Sequence, residues 1–548
     1  MKPRSLLLLI ALTIGVFLRI YQLDYVPPGL NPDEASIGYN AYSLLETGRD
    51  RYGETLPIAF RSLGTYLLPV YTYLTIIPVA IFGPTIFSVR LISVLSSILL
   101  LVITLLLVSE IKNISFGMKF LAMIFVSISP WAVYFGRGGH EISLSLTLFA
   151  LSIFLFIKSI SKPRWIILTL LIAGLSGATY YTEHYLILIV FPFLMWMFRN
   201  KFTGNRKYLL IGIILLIITQ LPQLSLIRSE AFTRRIEQVN YLSGKSFNDL
   251  GNIAYVLREF TSHYLEYFSP RSLFFDQDPQ QGRSIPDLSI FYIWMIIPLW
   301  FGIKFLLKNK SGPVFKILIL LLIIGPIPAA LTKDPFYSLR VLSFFWVLTI
   351  VISFGTGYLF EIIPKKSIVI ILFVFLILTS IVSLYNSYFI LLKYERGDNY
   401  GYEYYKLADR LRQYPDEKII IDSSRIAGVH IWIPFYVKLK PAKYQLQTSN
   451  EIKSNYYNNT GFENETKIDN LDIRPIIWEK DIYENEILIG DELAISYDQV
   501  KEHMLSSLFQ ITGLDGKIKL IAYKTNPKAK CEIIIKKGLR NSKCEVFL

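Results

Sequence analysis

Apolar runs long enough to cross the hydrocarbon core of a bilayer, roughly 17–25 residues, recur along the first 390 positions. They fall at 5–23, 88–109, 119–135, 142–159, 165–181, 184–199, 208–227, 289–307, 316–332, 337–360 and 367–390. Taken once each, they predict about 11–13 spans once uncertain segments are allowed for. The first run follows Lys2 and Arg4 and lacks a small-residue cleavage site, so it reads as a retained helix with a cytoplasmic N-terminus. A further apolar stretch, 67–82, holds Pro69, Pro78 and several tyrosines, and reads as an interfacial helix on the outer face.

The loop charges give these spans a direction. One set of loops carries Lys112 and Lys119, then Lys158, Lys162 and Arg164, then Arg199, Lys201, Arg206 and Lys207. The same side continues with Lys304, Lys308, Lys310 and Lys316, and with Lys365 and Lys366. The short loops opposite hold only Arg137, then Lys333 and Arg340. Cytoplasmic loops are the Lys/Arg-rich ones. The expectation is a multi-pass protein of the cytoplasmic membrane, with residues 24–87, 136–141, 228–288 and everything beyond about 391 outside.

Beyond 390 the pattern changes. Apolar and polar residues alternate at 418–422, 431–437, 517–524 and 532–536, as in half-buried strands, and 402–413 has a helical period. The fold class expected is an α-helical polytopic membrane protein with an extracytoplasmic α+β domain, divided into a membrane module 1–390 and a domain 391–548. The only cysteines, Cys531 and Cys544, bracket the hairpin-like CEIIIKKGLRNSKC and are free to pair in an oxidising exterior.

Composition agrees: 53% of residues are hydrophobic, 18% are charged, and the mean hydropathy is +0.43. A net charge of +14 suits a nucleic-acid binder. Here the cations are dispersed among short loops between spans, which excludes that class. No P-loop, no nucleotide-binding glycine-rich turn after a strand and no Cys/His metal cluster is present.

The first outer loop offers the candidate chemistry. Asp33 and Glu34 follow Asn31–Pro32, a good helix start, and Gly48 is a natural stop after Thr47. Acids in a first helical turn complement the helix dipole, so on local grounds the pair serves capping as well as it serves catalysis.

Several segments carry a family resemblance. The Asp-Glu pair after the first span, GYNA, TGRDRYG and the aromatic PVYTY resemble family 39 glycosyltransferases of the GT-C type. That group includes protein O-mannosyltransferases and the aminoarabinose transferases of lipid A. FGPTIFSVRLISVL resembles the start of the family's second span, SPWAVYFGRGGHEISLSL the turn after its third, KDPFYSLRVL a later outer loop, and IWIPFYVKLKPAKYQ a tail segment of its bacterial branch.

The resemblance implies an inverting membrane glycosyltransferase, moving a hexose or pentose from a polyprenyl-phosphate donor to a lipid, protein or glycan acceptor. It implies no nucleic-acid partner and no metal ligand set, and leaves room for a divalent cation. By family position Asp33 is the catalytic base, with Glu34 orienting it. Arg137 and Arg340 are expected at the donor phosphate, with Arg61 and Lys333 behind them. Tyr66, His140 and Glu141 complete the substrate-binding candidates, and Glu141 stands where the family has its second acid. Glu183–His184, His263, Glu266 and Tyr267 carry less weight, and DQDPQQGRS reads as a mobile loop. The Glu-Lys-Pro-Pro segment of the aminoarabinose branch is replaced by Gly64–Thr65–Tyr66–Leu67–Leu68–Pro69, which weakens lipid A as acceptor. Two other readings stay open: a flippase or transporter of lipid-linked saccharides, and a non-catalytic assembly subunit. The near absence of charges inside the spans argues against transport.

Overall fold

The computed structural model describes residues 3–243, 245, 249–364, 366–459, 461, 466–537 and 542–547. Lys2, Lys365, parts of the 228–288 loop (244 and 246–248) and 538–541 of the cysteine-bounded segment lie outside the described residues.

Among the described residues, seven helical stretches are long and apolar enough to cross a membrane. They are Pro3–Ile20 (α1), Ile86–Ser109, Glu141–Ser161, Thr203–Ser225, Pro313–Ala330, Ser338–Ile362 and Ser367–Glu395. The run 119–135 becomes a bent pair, Phe116–Ile128 and Pro130–Arg137, broken by 54°. A proline at the first position of the second helix starts it afresh, because it has no N–H to continue the first. Against the 11–13 spans expected, seven helices, or eight with the bent pair, meet that length among the described residues. The runs at 165–181 and 184–199 make helices of only 13 and 17 residues (Trp165–Gly177 and Tyr181–Met197). That at 289–307 is helical only over Ile296–Lys308.

Packing is tightest where side chains vanish. A Cβ on Gly355 would lie 1.8 Å from the carbonyl oxygen of Pro298, and one on Gly302 would lie 2.0 Å from that of Val351. Glycine lets these two helix backbones touch, as small residues do at membrane helix interfaces. The few charges inside the spans include two arginines. Arg19 and Arg90 are fully buried within them. Arg19 donates to Ser97 Oγ at 2.6 Å and to the carbonyls of Gly15, Val126 and Ser127, so its role is structural.

The segment between the first two candidate spans folds into helix α2 (Pro32–Thr47), a hairpin of β1 (Phe60–Ser62) and β2 (Thr65–Leu67), and helix α3 (Pro69–Phe82). The interfacial stretch is thus helical, as expected. α2 ends at Gly48, whose φ of 67° is the left-handed cap.

The C-terminal part holds a six-stranded sheet of β3 (Ile419–Ile421), β4 (Thr466–Ile468), β5 (Leu471–Ile473), β6 (Ile487–Gly490), β7 (Ser506–Thr512) and β8 (Ile518–Lys524). Its order is β4-β5-β3-β6-β8-β7, with β3 parallel to β5 and β6 and the outer pairings antiparallel. Two expected strands are helices instead. Residues 431–437 belong to Val429–Tyr436, buried on every side, and 532–536 to Pro527–Lys536. Cys531 and Cys544 are joined in a disulfide that links this last helix to a short 3-10 turn rather than closing a hairpin.

Candidate active site

Asp33 and Glu34 stand next to each other in the first turn of α2 but have different tasks. Asn31 Oδ1 accepts from Glu34 N and Glu34 Oε2 accepts from Asn31 N, both at 2.9 Å, which closes a capping box. Glu34 is also fully buried against Arg90, whose Nε donates to Oε1 at 2.9 Å. The remaining Arg90 donors reach the carbonyls of Leu23, Pro27 and Gly29. Burial pushes the Glu34 carboxyl up, but Arg90 outweighs it and holds the group below its ordinary range. An ionised, saturated carboxylate is a structural anchor.

That anchor also fixes the turn before Glu141. Gly139 N donates to Glu34 Oε1 at 2.6 Å. A Cβ on Gly139 would meet Val89 Cγ1 at 2.9 Å and Glu34 Cγ at 3.2 Å, so only glycine brings this N–H so close. The turn presents His140 and Glu141 to the same space as Asp33.

That space is a cavity of about 490 Å³, lined among others by Asp33, Tyr66, His140, Glu141, Arg235 and Tyr337. Burial raises the Asp33 carboxyl above its ordinary range, opposed by the charges of Arg235 and His140. Burial lowers His140 below its ordinary value, opposed by the charges of Glu34 and Asp33. Arg235 comes from the amphipathic helix Glu230–Val239. It is half-buried, and the Asp33 carboxylate favours its charged form.

A second, mainly apolar cavity of about 420 Å³ adjoins the first and shares Tyr180, Tyr181 and Arg235 with it. Leu188, Ile189, Pro328 and Leu331 line its walls, and Arg340 its polar end. Tyr337 lies between two guanidinium groups, with Arg283 at 3.3 Å and Arg340 at 3.8 Å from the ring centre. Arg283 is held by Asp278 at 3.1 Å, and Asp278 also accepts from Ser338 N and Oγ. The DQDPQQGRS segment is consequently anchored, and Gly282 O accepts from Tyr134 Oη at 2.6 Å.

The candidates therefore divide. Asp33, Tyr66, His140, Glu141 and Arg340 line the two cavities. Arg137 does not: it is buried, donates to Leu18 O and Val26 O at 2.9 Å each, and packs over Tyr388 and Phe389. Arg61 reaches the carbonyls of Asn459 and Gly461 in the C-terminal part. Lys333 is drawn to Gln238 O at 2.9 Å. Glu183 is buried outside both linings, and His263 Nδ1 sits 2.9 Å from Thr332 O. Glu266 lies within hydrogen-bonding reach of Ser272 Oγ, and Tyr267 Oη accepts from Tyr337 N at 3.2 Å. Among the described residues no group of three or more His, Cys, Asp or Glu is placed to hold a metal ion.

Arg90, Arg235, Arg283 and Tyr337 were missed by the sequence reading. Arg90 had a signal, an ionisable residue inside an apolar run. Arg235 had only its place on an amphipathic outer helix.

Comparison with known proteins agrees with this architecture. Residues 68–224 match the family described as dolichyl-phosphate-mannose-protein mannosyltransferase. No curated protein matches the sequence. The fold is similar to that of ArnT from Cupriavidus metallidurans bound to undecaprenyl phosphate: TM-score 0.56 at 11% identity, over 94% of this chain and 97% of that one. Apo ArnT from the same organism gives 0.53 at 11% identity, over 95% and 98%. The oligosaccharyltransferase AglB from Archaeoglobus fulgidus gives 0.46 at 13% identity, over 79% and 63%. The chain shares the fold of ArnT, and its residues 68–224 are similar to the mannosyltransferase family.

Proposed function

We propose that the protein transfers a monosaccharide from a polyprenyl-phosphate donor to a hydroxyl of an envelope acceptor, on the outer face of the cytoplasmic membrane. The observation that carries this reading is the junction at Arg235, where an apolar cavity meets a polar one. A polyprenyl phosphate has that same division between tail and charged head. The tail would lie along Leu188, Ile189 and Leu331, the phosphate would face Arg235 and Arg340, and the sugar would occupy the polar cavity beside Asp33.

In the reaction, Asp33 takes the proton of the acceptor hydroxyl as its oxygen attacks the anomeric carbon. The bond from that carbon to the phosphate oxygen breaks, and the polyprenyl phosphate leaves with the electron pair. Arg235 and Arg340 offset the charge that gathers there. One displacement of this kind inverts the anomeric centre. A raised carboxyl pKa makes an ionised Asp33 a better base than an ordinary aspartate. Loop charges, and the Asp398, Arg425 and Trp432 residues of the C-terminal part that line the Asp33 cavity, support an outer-face site, with the N-terminus in the cytoplasm.

The test is transfer of radiolabelled sugar from polyprenyl-phosphate donors into membrane acceptors by the parent and by Asp33→Asn. The expected result is transfer by the parent and a loss of roughly 10²–10⁴ in the variant, with donor binding retained. Equal transfer by both returns Asp33 to a capping role. If lipid-linked saccharide instead crosses the bilayer unchanged, the protein is a transporter.

A further inference from the structure

A larger cavity is separate from those two. About 740 Å³ in volume, it lies where the outer ends of three candidate spans meet the C-terminal part. Asp24 and Tyr25 come from just beyond α1, Phe87 from the start of Ile86–Ser109, and Lys393 from the end of Ser367–Glu395. Its roof is the helix Tyr402–Leu411 with Arg412 and Lys438. The backbone from Gly29 to Asn31 divides it from the Asp33 cavity, with Gly29 lining one and Asn31 the other. Leu30 is pinned between them, its N–H donating to Tyr436 Oη and its carbonyl accepting from Trp432 Nε1, both at 2.8 Å.

The lining has the chemistry of a membrane interface. Tyr25 is 73% exposed, Tyr405 packs on Tyr436 at 5.3 Å, and Phe82 meets Phe87 at 5.2 Å. Aromatic rings of this kind settle at headgroup depth. Three cations, Lys393, Arg412 and Lys438, stand against two acids, Asp24 and Asp409. Asp409 is already engaged by Arg412 at 3.3 Å. The charge that remains is positive. Lys438 is held at a φ of 55°, a conformation that a lysine adopts only at a cost.

We infer that this cavity is a second lipid site, which takes the phosphate-bearing anionic headgroup of an outer-leaflet lipid and is separate from the donor cavity. The cations hold the phosphate, the aromatic rings pack the glycerol or sugar beside it, and the acyl chains leave between the ends of the three spans. The occupant is fixed by the cavity's height in the molecule: its floor is made by span ends, so a lipid enters it from the bilayer without desorbing.

The experiment measures binding of fluorescent phosphatidylglycerol and phosphatidylcholine to the purified full chain in neutral detergent. It compares the parent, the triple variant K393Q/R412Q/K438Q, Leu514→Glu and Arg235→Gln. Leu514 lies on the rim, in the turn between β7 and β8, where a carboxylate repels an anion without disturbing the core. The expected result is at least tenfold preference of the parent for phosphatidylglycerol, lost in the triple variant and in Leu514→Glu but kept in Arg235→Gln. Competition by glycerol 3-phosphate identifies the headgroup as the recognised part, and its failure shows that chain insertion does the work and overturns the headgroup assignment. Equal binding of both lipids by the parent, or loss only in Arg235→Gln, overturns the site. These outcomes do not depend on sugar transfer, so they leave the proposed reaction to be judged separately.

Discussion

Arg90 and Glu34 meet at 2.9 Å with both side chains wholly shielded from solvent, and between them they tie the first outer loop to the second long span. The pair joins the start of α2, the 23–29 segment and the Gly139 turn in one network. Removing one partner leaves a buried charge uncompensated, at a cost of about 3–5 kcal/mol. Arg90→Met is therefore expected to lower the melting temperature and to abolish transfer together. Glu34→Gln keeps the shape and loses less stability. Thermal melting in detergent, followed on both variants, checks this order.

Of the two cations Arg235 and Lys333, only Arg235 reaches the Asp33 cavity. Replacing Arg235 by Gln should lower kcat by roughly 10²–10³, as removal of a group that faces developing charge does. Lys333→Gln should leave kcat and KM close to the parent's. Steady-state transfer kinetics on the two variants separate them.

The acid limb of the pH profile should report Asp33. Its carboxyl is raised, so the base is lost by protonation as pH falls through a value above the ordinary 3.8. The charge of Arg235 holds that value down. In Arg235→Gln the limb should consequently move to higher pH, beyond any drop in rate. A limb that stays in place shows that another group titrates.

Asp50 gives a stability test away from catalysis. Burial raises its carboxyl to about 6 from 3.8, and Tyr456 Oη donates to it at 2.6 Å. The folded state thus holds the proton more tightly than the unfolded chain. The contribution is fully present below about 3.8 and is lost as pH rises through about 6. Asp50→Asn should flatten the melting temperature across that window relative to the parent, as measured by thermal denaturation at stepped pH.

Much of this was legible because the chemistry was local. Asn31–Pro32 and Gly48 set the bounds of α2 at both ends, and apolar run length located the spans. Where several interactions decide together, local patterns misled. The 431–437 segment is apolar on both faces, so alternation had no meaning there, and its enclosure allows a helix despite Pro434. At 532–536 the stronger signal was upstream: Asn526 accepts from Ala529 N and Pro527 opens the helix. The arginines were hardest. Nothing local to Arg137 says that it turns back onto the carbonyls of Leu18 and Val26, or that Arg235 turns inward. The direction of a long side chain is decided by partners more than a hundred positions away.

The hairpin of β1 and β2 beside the Asp33 cavity is clasped by the chain at 456–459 and 461. Arg61 N donates to Tyr456 Oη at 3.1 Å, Ile58 N to Tyr457 Oη at 3.1 Å, and Tyr66 Oη to Asn459 O at 3.1 Å. These partners are separated by 393 to 399 positions. At a synthesis rate of about 5–20 residues per second, the early loop waits roughly 20–80 s for the groups that hold it. The apolar helices up to Glu395 are made before the groups that clasp the hairpin exist. Assembly of the site is a late event of biosynthesis, and a ribosome that stalls before residue 456 leaves an inserted but unclasped protein behind.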